Sequence, residues 1–350
     1  MPYKVLILGA SYGSLFGTKL AMAGHDVTLV CRRQTADLIN DEGTEVRVRL
    51  KGEETHRAIR SRDLPGRIDA KTPEEVIATN YDLVCLAMQE PQYCAHEIWT
   101  LLIRIADAGI PSLSIMNMPP LAYLKRIPGL DCTKLDACYS NARVWDHFDP
   151  DLVSLCSPDP QAFRPPDEKA NVLHVGLPTN FKAAVFGNEA ANDKLRVLAA
   201  DIDSVRLDGK DVPVKLRVFD SLFVPFAKWS MLLAGNYRCI TEGAPISIRD
   251  AVHGDLDLSR RIYDAVTDLT RRLGADAADA VPFEKYAAAA ENLLKPSSAA
   301  RAVDAGAPFI ERVDLLVHEI ARSLGIANED FMRIAETVNA QLANNNRQIA

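Results

Sequence analysis

Short apolar runs alternate with amphipathic stretches over the first ninety residues. Lys4 to Leu8, KVLIL, reads as a buried strand. Ser14 to Ala23 sets Leu15, Phe16, Leu20 and Ala23 near one face, and Gly24 stops that helix. VTLVC is a second buried strand, followed directly by Arg32-Arg33. Strand, glycine turn, helix and strand within about thirty residues make a βαβ unit. Glu45 to Leu50 then alternates as a half-exposed strand, and residues 51–71 read as a mobile, charged connection. Thr72-Pro73-Glu74-Glu75 has the capping form of a helix start. Asp82 to Met88 and Pro111 to Met116 are apolar strands on either side of a helix over Ile98 to Ala108. This alternation predicts an α/β fold with a mainly parallel, doubly wound sheet of Rossmann type.

The pattern then changes twice. Clustered prolines and aspartates over residues 146–170 predict an irregular excursion, after which NVLHVG and FKAAVFG return to strand character. From Asp220 onward the periodicity is almost wholly helical. It is alanine-rich at 275–290 and 299–307, RVDLLVHEIARSLG closes at Gly325, and QLANNNRQIA reads as a frayed polar tail. The division predicts a nucleotide-binding domain over 1–217 and an all-α domain over 218–350.

Composition narrows the function classes. A length of 350 residues suits two domains. The charged share of 25% is ordinary for a globular chain, and the net charge of −7 gives no drive toward nucleic acid. No apolar stretch approaches the ~18–20 residues of a membrane span, and the opening run is too short for a signal peptide, so a cytoplasmic location is expected. Seven cysteines without a C-x-x-C pair read as reduced, part-buried residues. The histidines show no ligand spacing, which argues against a metal site.

The turn after the first strand, LGASYGSLFG, fits two descriptions. Gly9-Ala10-Ser11-Tyr12-Gly13 matches the G-x-S-x-G elbow of serine hydrolases, but that elbow takes an oxyanion donor from an earlier strand–helix loop, and only one strand precedes Ser11. A dinucleotide loop asks for less: a glycine exit, a glycine for helix–strand packing, and a helix N-terminus for the pyrophosphate. Gly9, Gly13 and Gly17 fill these roles, with Ser11 nearest the place of the missing middle glycine. Arg32 and Arg33, where an acid would mark NAD, argue for the 2′-phosphate of NADP(H).

With GASYGSLFG…GHDVTLVCRR at the front and KPSSAARAVDAGAPF…LGI at the back, the chain resembles the ketopantoate reductase family, the 2-dehydropantoate 2-reductases, over most of its length outside the proline-rich segment. The resemblance implies a Rossmann domain, a helical domain, and NADPH-dependent reduction of a 2-oxo acid in the cleft between them, a step of pantothenate biosynthesis. It implies cofactor contacts at Gly9, Ala10, Ser11, Tyr12, Gly13 and Ser14, at Arg32 and Arg33, and at Met88 and Gln89 within DLVCLAMQEPQ. Asn117, within SIMNMPP, falls beside nicotinamide and substrate. Gln89 stands where the family has a lysine, and Met118 where it has a glycine.

Lys228, in FAKWSMLLAGN, falls on the catalytic lysine; on its own it would read as an ordinary helix lysine. A lysine there hydrogen-bonds the carbonyl oxygen and protonates it, with burial lowering its pKa. Asn236 falls on a second catalytic position, and Ser298, beside Ser297, on the carboxylate-binding serine. The family's substrate glutamate falls on Phe309, with Glu311 two residues on. Leu232 and Ala302 replace a family asparagine and aspartate. Loss of these polar contacts implies a substrate that presents something less polar, or differently placed, than ketopantoate's hydroxymethyl, since an unpaired buried polar group costs ~1–3 kcal/mol. The expected partners are a small 2-oxo acid and neither nucleic acid nor membrane, and a homodimer is the assembly the family allows. Two other readings remain open: an opine-type dehydrogenase acting on an imine, and a catalytically silent NADP(H) sensor.

Overall fold

A computed structural model describes residues 2–349. β1 (Lys4–Leu8) is buried beyond its first residue, α1 (Tyr12–Met22) follows the glycine turn, and β2 (Asp26–Val30) returns parallel to β1. Gly24 closes α1 at a φ of +90°, a conformation that costs a residue with a Cβ. After α2 (Arg33–Glu42) come β3 (Glu45–Val48), β4 (Arg57–Arg60) and β5 (Ile68–Lys71).

The charged connection expected over 51–71 is therefore two strands. β4 pairs antiparallel with β3, where Glu45 faces Arg60 and accepts from it at 3.0 Å. β5 pairs parallel with β2 at the sheet's edge, with Ile68 and Ala70 buried and Asp69 and Lys71 turned outward. The charges that suggested a loop are carried by or beside these strands and are paired: Arg57 with Glu53 and Asp208, Arg60 with Glu45, and Asp69 with Arg67. Thr72 and Glu75 do form a capping box, but around a single turn, Pro73–Glu75. The chain is extended at Val76, which is buried, and at Ile77 before a further single turn over Ala78–Asn80, and the Arg104 guanidinium donates to the Val76 and Pro73 carbonyls.

β6 (Leu83–Leu86), α3 (His96–Asp107), β7 (Ser112–Ser114) and α4 (Leu121–Leu124) follow. Next come β8 (Val153–Ser157), β9 (Gln161–Phe163), β10 (Val172–Leu177), β11 (Phe181–Ala184) and α5 (Glu189–Ser204). A small hairpin of β12 (Arg206–Leu207) and β13 (Lys210–Asp211) precedes β14 (Leu216–Phe219). The main sheet has eight strands in the order β14-β11-β8-β7-β6-β1-β2-β5. From β5 to β8 all neighbours are parallel, and β11 enters antiparallel to β8. β4, β3, β10 and β9 form a separate four-stranded sheet.

The proline-rich segment is thus no mere excursion. VSLCS lies wholly buried between β7 and β11, and its prolines, Pro150 and Pro158, flank the strand rather than interrupt it.

Contacts divide the chain into two compact units: residues 1–88, 92–126 and 143–220, and residues 89–91, 127–142 and 221–350. Residues 127–142, which the sequence pattern assigned to the first domain, pack with the second unit. There Ile127, Leu135, Cys138 and Tyr139 are buried, and Cys138 lies within electrostatic reach of Arg312, Asp314 and Glu319.

The second unit is helical. α6 (Ala227–Met231) runs into a π-helical turn, Leu232–Asn236, and then come α7 (Ile248–His253), α8 (Leu256–Leu273), α9 (Phe283–Ala290), α10 (Ser298–Asp304), α11 (Val313–Ser323) and α12 (Glu329–Ile349). The tail expected to fray is the end of α12. Its asparagines hold it down: Asn345 donates to the Val303 and Ala307 carbonyls and Asn346 to that of Pro308. Among the described residues no helix is long and apolar enough to cross a membrane.

Candidate functional site

β1 is the switch point of the main sheet, with β2 on one side and β6 on the other; ligands of open α/β sheets bind beyond the strand ends at such a point. There Gly9, at a φ of +108°, donates to the Val30 carbonyl at 3.0 Å. A Cβ on it would stand 2.7 Å from the Ala87 carbonyl oxygen and 2.9 Å from the Met88 side chain, so no side chain fits. A Cβ on Gly13 would fall 2.6 Å from Ile7 Cγ2, and one on Gly17 3.1 Å from Val27, so α1 lies directly on the sheet.

The start of α1 is open. It has no side-chain cap and no acid in its first turn. Ser11 is exposed, and its hydroxyl makes no hydrogen bond with the described residues. Two neighbours are committed to structure. Ser14 is buried and its Oγ donates to the Ala10 carbonyl, while Tyr12 packs edge-on against Phe181 and donates its hydroxyl to the Pro160 carbonyl at 2.8 Å. Burial raises the Tyr12 pKa far above the phenol range, so it remains a donor. What the turn offers an anion is the backbone N–H groups of α1, its positive dipole end and the Ser11 hydroxyl. An anionic pyrophosphate fits that donor set.

Past β2, Arg32 is exposed and makes no side-chain hydrogen bond or ion pair with the described residues. Arg33 is engaged, with Glu75 at 2.8 Å and the Thr72 hydroxyl at 3.3 Å. Met88 is half-buried against Gly9, and its N–H donates to the Tyr93 hydroxyl at 3.1 Å. Gln89 is exposed and belongs to the second unit. Asn117 is half-buried beyond β7, between buried Met116 and Met118.

The other expected residues lie in the second unit. Lys228 is half-buried on α6, flanked by Phe226 and Trp229, whose rings stack 4.0 Å apart. Beyond it the helix departs from the regular form its sequence suggests. A Cβ on Gly235 would fall 2.0 Å from the Tyr286 hydroxyl, which donates to the Met231 carbonyl at 3.0 Å. The hydroxyl occupies the gap and takes a carbonyl freed from the α-helical ladder. A π turn holds about one residue more than an α turn, so Asn236 follows Lys228 roughly as an i+7 neighbour, two turns on and on the same side.

Ser297 fixes the end of this turn. It is buried, caps α10 by accepting from the Ala300 N–H at 3.1 Å, and donates to the Asn236 carbonyl at 2.7 Å. Ser298 is exposed, with a hydroxyl that makes no hydrogen bond to the described residues. Glu311 is half-buried; its backbone carbonyl accepts from the Tyr237 hydroxyl at 2.6 Å and its carboxylate from the Glu90 N–H at 3.4 Å. Phe309 is 61% exposed.

Two features escaped the sequence pattern. Glu90 is buried and accepts from the Ser140 N–H and hydroxyl, both at 2.9 Å, and burial raises its carboxyl pKa. Arg164, in the proline-rich segment, is half-buried near Cys31 and Arg32. A charged side chain surrounded by prolines gave no sign of where it points.

Residues 5–92 match the family model described as ketopantoate reductase PanE/ApbA. Among solved structures, 2-dehydropantoate 2-reductase from Methylococcus capsulatus aligns at 14% identity and a TM-score of 0.68, over 98% of this chain and 97% of that one. A dimeric ketopantoate reductase from Staphylococcus aureus aligns at 12% identity and a TM-score of 0.60, over 98% and 99%. D-mandelate dehydrogenase, in a ternary structure with NADH and anilino(oxo)acetate, aligns at 14% identity and a TM-score of 0.65, over 98% and 99%. At these identities the likeness is one of fold.

Proposed function

With a ketopantoate reductase segment at residues 5–92 as the premise, we propose that the protein is an NADPH-dependent reductase of a small 2-oxo acid. The observation that carries this reading is the open start of α1, with Gly9 closed over by Ala87 and Met88 and an exposed, unengaged Arg32 beyond β2. Residues 9–13 hold the pyrophosphate through backbone N–H groups, with Ser11 adding its hydroxyl. Arg32 takes the 2′-phosphate.

Bound there, the nicotinamide supplies a hydride to the substrate's carbonyl carbon. Lys228 Nζ hydrogen-bonds the carbonyl oxygen as negative charge gathers on it, then donates the proton that completes the hydroxyl. Asn117 and Asn236 orient substrate and nicotinamide, with Ser297 holding the Asn236 backbone in place. Ser298 offers its hydroxyl to the carboxylate, and Glu311 is the remaining polar contact for the substrate's far end. With Leu232 buried and Ala302 where the family has polar groups, that end is less polar than hydroxymethyl. The anilino(oxo)acetate in the ternary structure of the D-mandelate dehydrogenase neighbour supports this direction. We also propose a homodimeric, cytoplasmic enzyme, as the dimeric neighbour suggests for assembly.

The test is a panel of 2-oxo acids and aldehydes, with NADPH and NADH side by side, followed by loss of reduced-nicotinamide absorbance. Turnover of an apolar 2-oxo acid with NADPH is expected. A preference for NADH removes the role of Arg32, and NADPH binding without any turnover favours a sensor.

A further inference from the structure

Arg164 has no role in the reaction outlined above, yet its surroundings are unusual. The other half-buried arginines of the first unit commit their donors: Arg47 and Arg57 to carboxylates, Arg104 and Arg126 to backbone carbonyls. Arg164 makes no hydrogen bond or ion pair with the described residues, and neither does Arg32. The groups that act on Arg164 electrostatically are the Cys31 thiol and the Arg32 guanidinium, with no carboxylate among them. Asp37 acts on Cys31 but not on Arg164.

Its position is built rather than accidental. Just before β9, the Pro160 carbonyl accepts from the hydroxyl of Tyr12, the first residue of α1. β9 itself pairs with β10, Phe163 opposite His174. The segment is thus pinned at the glycine turn on one side and to a sheet on the other, and it delivers Arg164 to the end of β2. Burial and the Arg32 cation pull the Arg164 guanidinium below its ordinary pKa, although an arginine keeps its charge. Burial also pushes the Cys31 thiol up to about 11, so it supplies no compensating anion. Two cations within electrostatic reach of each other, one of them half-desolvated and without a hydrogen bond to the described residues, are unfavourable until an anion joins them.

We propose that Arg164 and Arg32 form a two-arginine clamp for the 2′-phosphate of an adenosine ribose, which makes Arg164 a cofactor-selecting residue contributed by the proline-rich segment. The proposal rests on the reading that a dinucleotide lies at the glycine turn, where the ribose falls at the end of β2. A phosphomonoester dianion offers three acceptor oxygens, enough for the donor forks of both guanidinium groups.

Binding of 2′,5′-ADP and of 5′-ADP to the full chain, measured by titration calorimetry, tests the clamp without any turnover. The unmodified protein is expected to bind 2′,5′-ADP at least about tenfold more tightly than 5′-ADP, and Arg164→Met to lose about tenfold of that preference with 5′-ADP affinity unchanged. Arg164→Lys, which keeps a point charge without the fork, should fall between them and guards against a folding defect in the methionine variant. If both variants keep the full preference, or if the unmodified chain does not prefer 2′,5′-ADP, the clamp is overturned while the dinucleotide reading stands. If neither nucleotide binds, both fall together.

Discussion

The glycine turn after β1 and the π turn after α6 are both departures from regular backbone, and they are made in opposite ways. The first is made of absences: no Cβ at Gly9 or Gly13, no cap and no acid at the start of α1. The second is made by an intrusion, the Tyr286 hydroxyl pressed against Gly235 and bonded to Met231. Absences of this kind are written locally, as small residues at fixed spacing. The intrusion depends on a residue some fifty positions away and leaves only an unremarkable glycine in the helix it deforms.

The contrast can be broken experimentally. Lys228→Ala is expected to lower kcat by about 10²–10⁴-fold, the range for loss of a positioned general acid, with NADPH affinity unchanged. Equal loss of affinity would mean that the lysine belongs to the cofactor site. Gly9→Val forces a side chain against the Ala87 carbonyl at positive φ and should abolish nucleotide binding, with a cost to stability of about 3 kcal/mol or more. Thermal unfolding with and without NADPH reads both effects.

Gly235→Ala should destabilise the second unit by about 1–3 kcal/mol through overpacking. Adding Tyr286→Phe should restore part of that loss, because it removes the atom in the way; a purely additive double mutant would show that the hydroxyl does not shape the turn.

The smallest effect concerns Lys19, buried in α1, whose Nζ donates to the Val212 carbonyl at 3.2 Å. Burial and then the Lys215 cation lower its pKa from 10.5 to about 7, against the opposing pull of Asp211 and Asp203. Between pH about 7 and 10.5 the unfolded chain binds the proton and the folded chain does not, so stability rises with pH across that window and is flat below it. Lys19→Met should remove this rise, seen as a smaller gain in Tm between pH 7 and 9 than the unmodified protein shows. An unchanged gain would mean that Lys19 keeps its ordinary pKa.

The same contrast accounts for what the sequence made legible. β1, α1 and β2 announce themselves because apolar runs and glycines are local signals. β8 went unseen because its flanking prolines dominate the composition around a five-residue strand. β5 went unseen because edge strands carry charge on their outer face. The end of α12 looked frayed because it is fastened by asparagine amides rather than by an apolar stripe. In the candidate site, the glycine turn proposed to hold a pyrophosphate could be located from spacing, whereas the resemblance alone pointed to Lys228, and nothing local pointed to Arg164.

The return of residues 127–142 to the second unit has a consequence for synthesis. Ile127, Leu135 and Tyr139 leave the ribosome well before α11 begins at Val313. At ordinary translation rates of about 5–20 residues per second, that apolar segment waits roughly ten to thirty-five seconds for its cover. A nascent chain stalled at residue 220 should therefore be a good client for holdase chaperones, and its release should be timed by the emergence of the C-terminal helices.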